Sequence, residues 1–270
     1  MENYVHGYEQ YEAQRLSDQA DILTELLHLE TRYQSGELVL EAGCGVGAQT
    51  IHLAKNSPAA NFVSIDQSED SLQLAKKNIK QMQLSNVTFQ QANIFDLPFM
   101  DNSFDHVFLC FVLEHLNNPL KAINNLKRIL KPGGTITIIE GDHESFYCHP
   151  RSEAASKVVH CLVEVQAAMG GNALIGRELY PLLNNTKFAH VNVIPRMVYV
   201  DDSKPEWVNG FSKNTFIAMV EGIKDHALEQ KLISESLWQK GIYDLYNATK
   251  PGGTFCYTFF KGVGVKPQIK

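Results

Sequence analysis

Val39-Leu40-Glu41-Ala42-Gly43-Cys44-Gly45-Val46-Gly47 decides the fold, because a short apolar run meets an acidic residue and then glycine at every second position. The run predicts a β-strand entering a nucleotide-binding loop, with the next helix beginning near Thr50. Without a Cβ, the loop can take positive φ and let a ligand lie directly against main chain. A dinucleotide enzyme carries G-x-G-x-x-G, which seats a pyrophosphate on the helix N-terminus. This chain reads G-x-G-x-G, with Glu41 just ahead. A carboxylate there disfavours phosphate and favours a cationic ligand, which argues against a nicotinamide oxidoreductase.

Three further landmarks follow in order. Asn61-Phe62-Val63-Ser64-Ile65-Asp66 ends a second strand in an acidic residue 19 positions beyond Gly47, close to the usual spacing of a ribose-binding carboxylate. Phe89-Gln90-Gln91-Ala92-Asn93-Ile94, followed by Asp96-Leu97-Pro98-Phe99, supplies a third strand and turn. Ser103-Phe104-Asp105-His106-Val107-Phe108-Leu109-Cys110-Phe111-Val112-Leu113-Glu114-His115-Leu116 supplies a fourth strand and turn, and Leu130-Lys131-Pro132-Gly133-Gly134-Thr135 passes from a helix end into a strand. Together these motifs resemble the class I S-adenosylmethionine-dependent methyltransferases, and within them the small-molecule enzymes of the ubiquinone and menaquinone biosynthesis type. The resemblance covers roughly the first half of the chain.

That resemblance implies a Rossmann-like α/β fold: a seven-stranded, mostly parallel sheet with an antiparallel last strand, helices on both faces and a helical insertion as a cap. It implies S-adenosyl-L-methionine as cofactor, held at successive strand ends. Glu41, Gly43, Cys44, Gly45 and Gly47 would take the methionine end; Asp66 and Gln67 the ribose; Asn93 and Ile94 the adenine, with Cys110 and Phe111 completing the wall. Most relatives carry Asp where this chain has Asn93, whose side-chain oxygen can still accept from the adenine amine. From the N-terminal segment, Tyr8 would close over the cofactor. Arg15 and Gln19 either reach the methionine carboxylate or lie on a helix surface.

Composition bounds the alternatives. A chain of 270 residues can bury a large core, and its longest apolar runs, such as 107–112, are far too short to span a bilayer. The N-terminus has neither a basic nor an apolar signal region, so the cytoplasm is the expected location. Five cysteines, an odd number without a C-x-x-C pair, read as reduced thiols. His143, Cys148 and His149 lie close together but lack a fourth ligand at a recognisable spacing, so no metal is expected. A net charge of −6 with scattered Lys and Arg disfavours nucleic acid. A protein or RNA methyltransferase is further disfavoured by Cys110-Phe111-Val112-Leu113, which stands where an Asn-Pro-Pro-Tyr-like motif would be.

The chain is expected to divide into an N-terminal arm and helix (1–35), a cofactor-binding core (36–145), substrate-side helices and cap (146–250) and a final strand (251–263), all within one methyltransferase domain. Leu16, Ala20, Leu23 and Leu27 make one face of the first helix; Leu72, Ala75 and Ile79 a second; Ile123, Leu126 and Leu130, after Pro119, a third. Short apolar strands between them predict a parallel sheet covered on both faces. Helices are expected over 154–168 and 177–183, strands over 191–200 and 254–261, and a cap over 205–249. Tyr4, Tyr8 and Tyr11 serve either the cofactor or packing between copies, so a homodimer is the one protein partner raised.

A sulfonium methyl is already activated, so the main catalytic task is to align the acceptor and exclude water. The turns after the fourth and fifth strands would face a small organic acceptor. Among their residues His143 is the candidate general base, with Glu114 and His115 either catalytic or helix-capping. A non-catalytic S-adenosylmethionine-binding regulator is the other reading, since the pocket is plainer in the sequence than the base.

Overall fold

The computed structural model describes residues 10–28 and 30–268. The expectation for Tyr8 therefore lies outside the described residues. Helix α1 (Gln10–His28) precedes strand β1 (Leu38–Ala42), and its expected inner positions Ala20, Leu23 and Leu27 are buried. Then α2 (Ala48–Asn56), β2 (Asn61–Asp66), α3 (Glu69–Gln81), β3 (Val87–Gln91) and β4 (Phe104–Cys110) alternate as expected. Helix α2 begins two residues before Thr50, with Gly47 as its N-cap in the left-handed region. Ser68 caps α3 by accepting from the Ser71 N–H, and Asn118 caps α4 (Pro119–Ile129) by accepting from the Lys121 N–H. Such side-chain oxygens satisfy donors that the helix itself leaves open.

The second half continues with β5 (Leu130–His149), α5 (Glu153–Ala168), α6 (Leu179–Asn185) and β6 (Ala189–Asp201). A helical stretch follows from α7 (Pro205–Trp207) through a π-helical segment (Val208–Ile217) to α8 (Ala218–Glu221). Helices α9 (Lys224–Glu229) and α10 (Glu235–Asn247) lead to β7 (Thr254–Val265). The seven strands stand in the order β3-β2-β1-β4-β5-β7-β6. Strands β1 to β5 pair in parallel, while β7 runs antiparallel to both β5 and β6. The Rossmann-like seven-stranded arrangement is thus present, with β7 inserted inside the sheet and β6 left at the edge.

Apolar side chains pack on both faces of the sheet. Leu23, Leu53, Phe62, Val158, Leu162, Phe211 and Trp238 belong to one cluster; Leu40, Val107, Ile123, Leu126, Ile136 and Leu183 belong to the other. Strands are added outward in one direction from β1 to β3 and in the other from β4 onward, so the strand order reverses between the parallel neighbours β1 and β4, and in open α/β sheets ligands bind beyond the carboxyl ends of the strands at that switch.

The turn expected to carry His143 after the fifth strand is absent: residues 140–144 lie within β5. Between Asp142 and Tyr147 that strand advances five residues while β7 advances two, from Thr258 to Cys256. The surplus makes a bulge held by Ser145, whose Oγ donates to the Asp142 carbonyl at 2.6 Å and accepts from the Thr258 N–H at 2.8 Å. Bulges bend a strand and re-aim its side chains, here at the end of the sheet that faces the cavity.

Candidate functional site

A cavity of about 260 Å³ opens at the switch point. Its first wall is the loop after β1. Gly45 has φ +51° and nothing within 4 Å of a hypothetical Cβ, so its main chain is bare toward open space. Gly43 and Gly47 are glycine for another reason: a Cβ would stand 2.6 Å from Val112 Cγ2 at the first and 3.1 Å from Ala75 Cβ at the second. Gly43, Cys44 and Gly45 line the cavity, whereas Gly47, expected to touch cofactor, is absent from its wall because it packs against α3.

Asp66 organises this end. One carboxylate oxygen accepts from the Gly45 N–H at 2.8 Å and the other from the Ser68 N–H at 2.9 Å. The loop and the start of α3 are thereby tied to a single side chain that itself lines the cavity beside Gln67. Lone pairs on both oxygens stay available.

Glu41 corrects the expectation that its carboxylate meets the ligand. It is buried and accepts from the hydroxyls of Thr50 and Ser64, both at 2.6 Å. It is absent from the cavity wall, and burial pushes its pKa up to about 7. The carboxylate joins β1, β2 and α2 beneath the loop. Asn93 and Ile94 do line the cavity, but the Asn93 side-chain oxygen already accepts from the Phe95 N–H at 2.9 Å. That bond shapes the turn and leaves one lone pair for an adenine amine.

The far wall comes from β4, β5, the cap and β7. Phe111, at φ +58°, turns the chain out of β4, and the next two N–H groups, of Val112 and Leu113, donate to Glu140 Oε1 at 3.0 and 2.7 Å. Burial, reinforced by the nearby Glu114 carboxylate, holds the Glu140 carboxyl well above the usual range. Glu114 and His115 both line the cavity, 3.5 Å apart, and the Glu114 carbonyl accepts from Gln166 Nε2 at 3.0 Å and from the Asn172 N–H at 2.7 Å. Cys110 also lines it, its thiol pKa raised by burial. Arg15 is buried, lines the cavity and donates to Gln19 Oε1 at 3.2 Å, so α1 contributes to the wall as expected.

His143, carried by the bulge, is 4% exposed and lines the same cavity. Its Nδ1 lies 2.6 Å from the Tyr257 hydroxyl of β7. Its Nε2 is buried with no partner among the described residues, and burial lowers the imidazole pKa. Phe111, Phe211, Phe216, Tyr257 and Phe259, with Thr215 and Met219, line the same cavity. Phe216 packs edge-on to Phe255 and Tyr257, ring centroids 4.9 and 5.4 Å apart. Sequence reasoning missed Tyr257, Phe216 and Thr215 as wall residues. A tyrosine inside the run 255–260, whose other members except Thr258 are apolar, was the available signal, since a buried phenol needs a polar partner.

These residues form an open glycine turn, a fixed carboxylate beside it and an aromatic chamber beyond, and known proteins agree with the pattern. A family model described as a methyltransferase domain matches residues 33–187, more than half of the chain. An uncharacterised methyltransferase of Schizosaccharomyces pombe is 28% identical over 180 residues, 63% of this chain and 64% of the relative. A demethylmenaquinone methyltransferase of Listeria welshimeri is 34% identical over 110 residues, 40% of this chain and 47% of the relative. The chain thus spans about two thirds of the first relative's length and about half of the second's. The solved YcgJ protein of Bacillus subtilis superposes with a TM-score of 0.59 at 16% identity, covering 95% of this chain and all of that one, a likeness of fold. By its motifs, its strand order and the family model that matches it, the chain belongs to the methyltransferase domain family.

Proposed function

We propose that the chain is an S-adenosylmethionine-dependent methyltransferase acting on a small organic acceptor. The observation that carries this reading is Asp66. Its two oxygens are held by Gly45 and Ser68 beside a main-chain turn that faces open space, as a bidentate grip on a ribose diol requires. Gly43 to Gly45 would hold the methionine end, Asp66 and Gln67 the ribose, Asn93 and Ile94 the adenine. Arg15 would face the methionine carboxylate, with Cys110 and Phe111 between the two halves. The fit is good: the turn is bare where the ligand must lie, and the carboxylate is fixed before the ligand arrives.

Held by the glycine turn, Asp66 and Asn93, S-adenosylmethionine would supply an activated sulfonium methyl for the acceptor atom. The protein's share is alignment and exclusion of water, which in favourable systems is worth roughly 7 to 11 kcal/mol. Buried aromatic rings and the π-helical segment close the acceptor end, and His143, Glu114 and His115 are the polar groups placed there. Residues 36–145 would thus carry the cofactor and also lend Glu114, His115 and His143 to the acceptor end, which the cap over 146–250 and β7 complete. The test is calorimetric titration with S-adenosylhomocysteine: micromolar binding supports the reading, and absence of binding overturns it. A regulator that keeps the pocket without turnover would bind equally well, and methyl transfer from labelled S-adenosylmethionine to a panel of small acceptors separates the two.

A further inference from the structure

Glu114 and His143 reach the cavity from different parts of the sheet, yet one stretch of chain holds both. Helix α5 runs into a connector, residues 169–178, that ends in a 3-10 turn (Ile175–Glu178) before α6. On one side the Glu114 carbonyl accepts from the Asn172 N–H at 2.7 Å and from Gln166 Nε2, at the end of α5, at 3.0 Å. On the other, the His143 N–H of the bulge donates to the Ala173 carbonyl at 3.0 Å. Main chain meets main chain at both places. A Cβ on Gly171 would stand 2.5 Å from the Glu114 carbonyl oxygen, and one on Gly176 2.6 Å from that of Gly141. Asn172 stiffens the span between, its side-chain oxygen accepting from the Leu174 N–H and its Nδ2 donating to Glu178 Oε1, both at 3.0 Å.

Arg177 adds the charged part of this grip. Its Nε and Nη2 donate to the two oxygens of Asp142, each at 2.7 Å, and its Nη1 donates to Glu144 Oε2 at 3.2 Å. One guanidinium thus ties the carboxylates on either side of His143. Asp142 is 3% exposed, and a carboxylate that far from water needs a charged partner; a planar fork meets both of its oxygens, as an ammonium does not. Neither Asp142 nor Arg177 lines the cavity, so the pair acts from behind the wall.

We propose that Arg177 is a positioning residue of the acceptor end: by clamping Asp142 and Glu144 it fixes the bulge that presents His143 to the cavity, against the Glu114 turn held by the same connector. The inference rests on the proposed methyltransferase reading for calling this end the acceptor's, but the clamp can be measured without it. Besides holding the bulge, the guanidinium neutralises the carboxylate next to the imidazole. The titratable and charged groups around His143 are Tyr257 on β7, Glu114 and His115 after β4, Arg15 on α1 and Asp142 on its own strand. Glu114 and Asp142 favour a charged ring, His115 and Arg15 oppose it, and burial, the largest influence, keeps the pKa low. Without Arg177, the Asp142 charge acts on the ring unopposed, and the ring keeps its proton to higher pH.

The experiment uses the full chain with 13C-labelled histidine, following the ring Cε1 signals by 1H–13C correlation across the acid and neutral range, with His143→Gln to assign the signal. The Arg177 side chain is 43% exposed, so Arg177→Met keeps its stem and leaves the core intact. In that variant the titration midpoint of His143 should rise by about one pH unit. Arg177→Lys, which keeps the charge and gives up the fork, should recover at least about half of that rise. S-adenosylhomocysteine affinity should stay within about threefold in both, because the glycine turn is built elsewhere. A midpoint unmoved in Arg177→Met overturns the proposal. So does an equal rise in both variants, the mark of a bulge that has merely loosened. Calorimetry on the wild type keeps the two failures apart: a protein that binds S-adenosylhomocysteine but shows unmoved midpoints sinks this inference alone, and one that does not bind sinks the methyltransferase reading.

Discussion

At the end of the cavity proposed for the cofactor, the wall drawn from residues 43–95 is a glycine turn with short polar and apolar side chains from the ends of β1, β2 and β3 and the first turns of the helices that follow β1 and β2. At the acceptor end the wall is large side chains from β4, β5, the π-helical segment and β7, and its central pair, His143 and Tyr257, lies 114 residues apart in sequence. The first end tolerates little change in backbone and the second little change in volume. A loop that binds through N–H groups depends on φ and on the absence of side chains, whereas a chamber of rings depends on packing density.

The sharpest way to break that contrast is Phe216→Ala. Phe216 is buried among Phe146, Phe255 and Tyr257, so its truncation should cost about 3–5 kcal/mol in urea unfolding. S-adenosylhomocysteine affinity, measured on the folded variant, should change by less than about threefold, because the glycine turn is built elsewhere. A large loss of affinity would merge the two ends into one.

Gly45→Val probes the opposite end. Positive φ strains the new residue by about 1–2 kcal/mol, and its side chain enters the open space the ligand needs. Titration should show affinity for S-adenosylhomocysteine falling about 100-fold or more, while the thermal midpoint drops by only several degrees. Retained affinity would remove the loop from the site.

Glu41→Gln separates support from contact. The folded carboxyl has its pKa raised from 4.5 to about 7 by burial, so between those limits the folded state binds a proton that the unfolded chain does not. Its contribution is fully present below pH 4.5 and is lost as pH rises through 7. Relative to the glutamine variant, the ligand-free wild type should therefore gain about 3 kcal/mol in urea unfolding as pH falls from about 7.5 to 4.5. Parallel curves for the two proteins would show that the carboxyl titrates normally. Asp66→Ala should have the smallest effect, weakening S-adenosylhomocysteine binding by about 1.5–3 kcal/mol in calorimetry. An unchanged heat of titration would strip Asp66 of its ribose role.

What the sequence made legible divides along the same line. The glycine loop, Asp66 and the strand–helix alternation were readable because each rests on local spacing, and the family resemblance followed from their order. Glu41 was misplaced because its partners, Thr50 and Ser64, are common polar residues that signal nothing until β2 and α2 pack against β1. The bulge at 143–146 carries no glycine and breaks no hydrophobic alternation that could announce it. Residues 208–217 show helical character, but a π-turn is a one-residue phase change imposed by packing. Thr215 marks it only in three dimensions, its hydroxyl donating to the carbonyl of Gly210 five residues back. Tyr257 was hidden for a related reason, since its partner lies across the sheet.

Because β7 lies between β5 and β6, the outer half of the sheet cannot assemble in the order in which it is synthesised. As the chain leaves the ribosome, β5 and β6 are complete while the strand that joins them is still to be translated, so both must wait with unpaired edges. Long-range pairing of this kind is slow and exposes the waiting strands to association. The nascent polypeptide can therefore finish its glycine turn early, yet it gains the phenol that meets His143 Nδ1 only after residues 254–265 have docked.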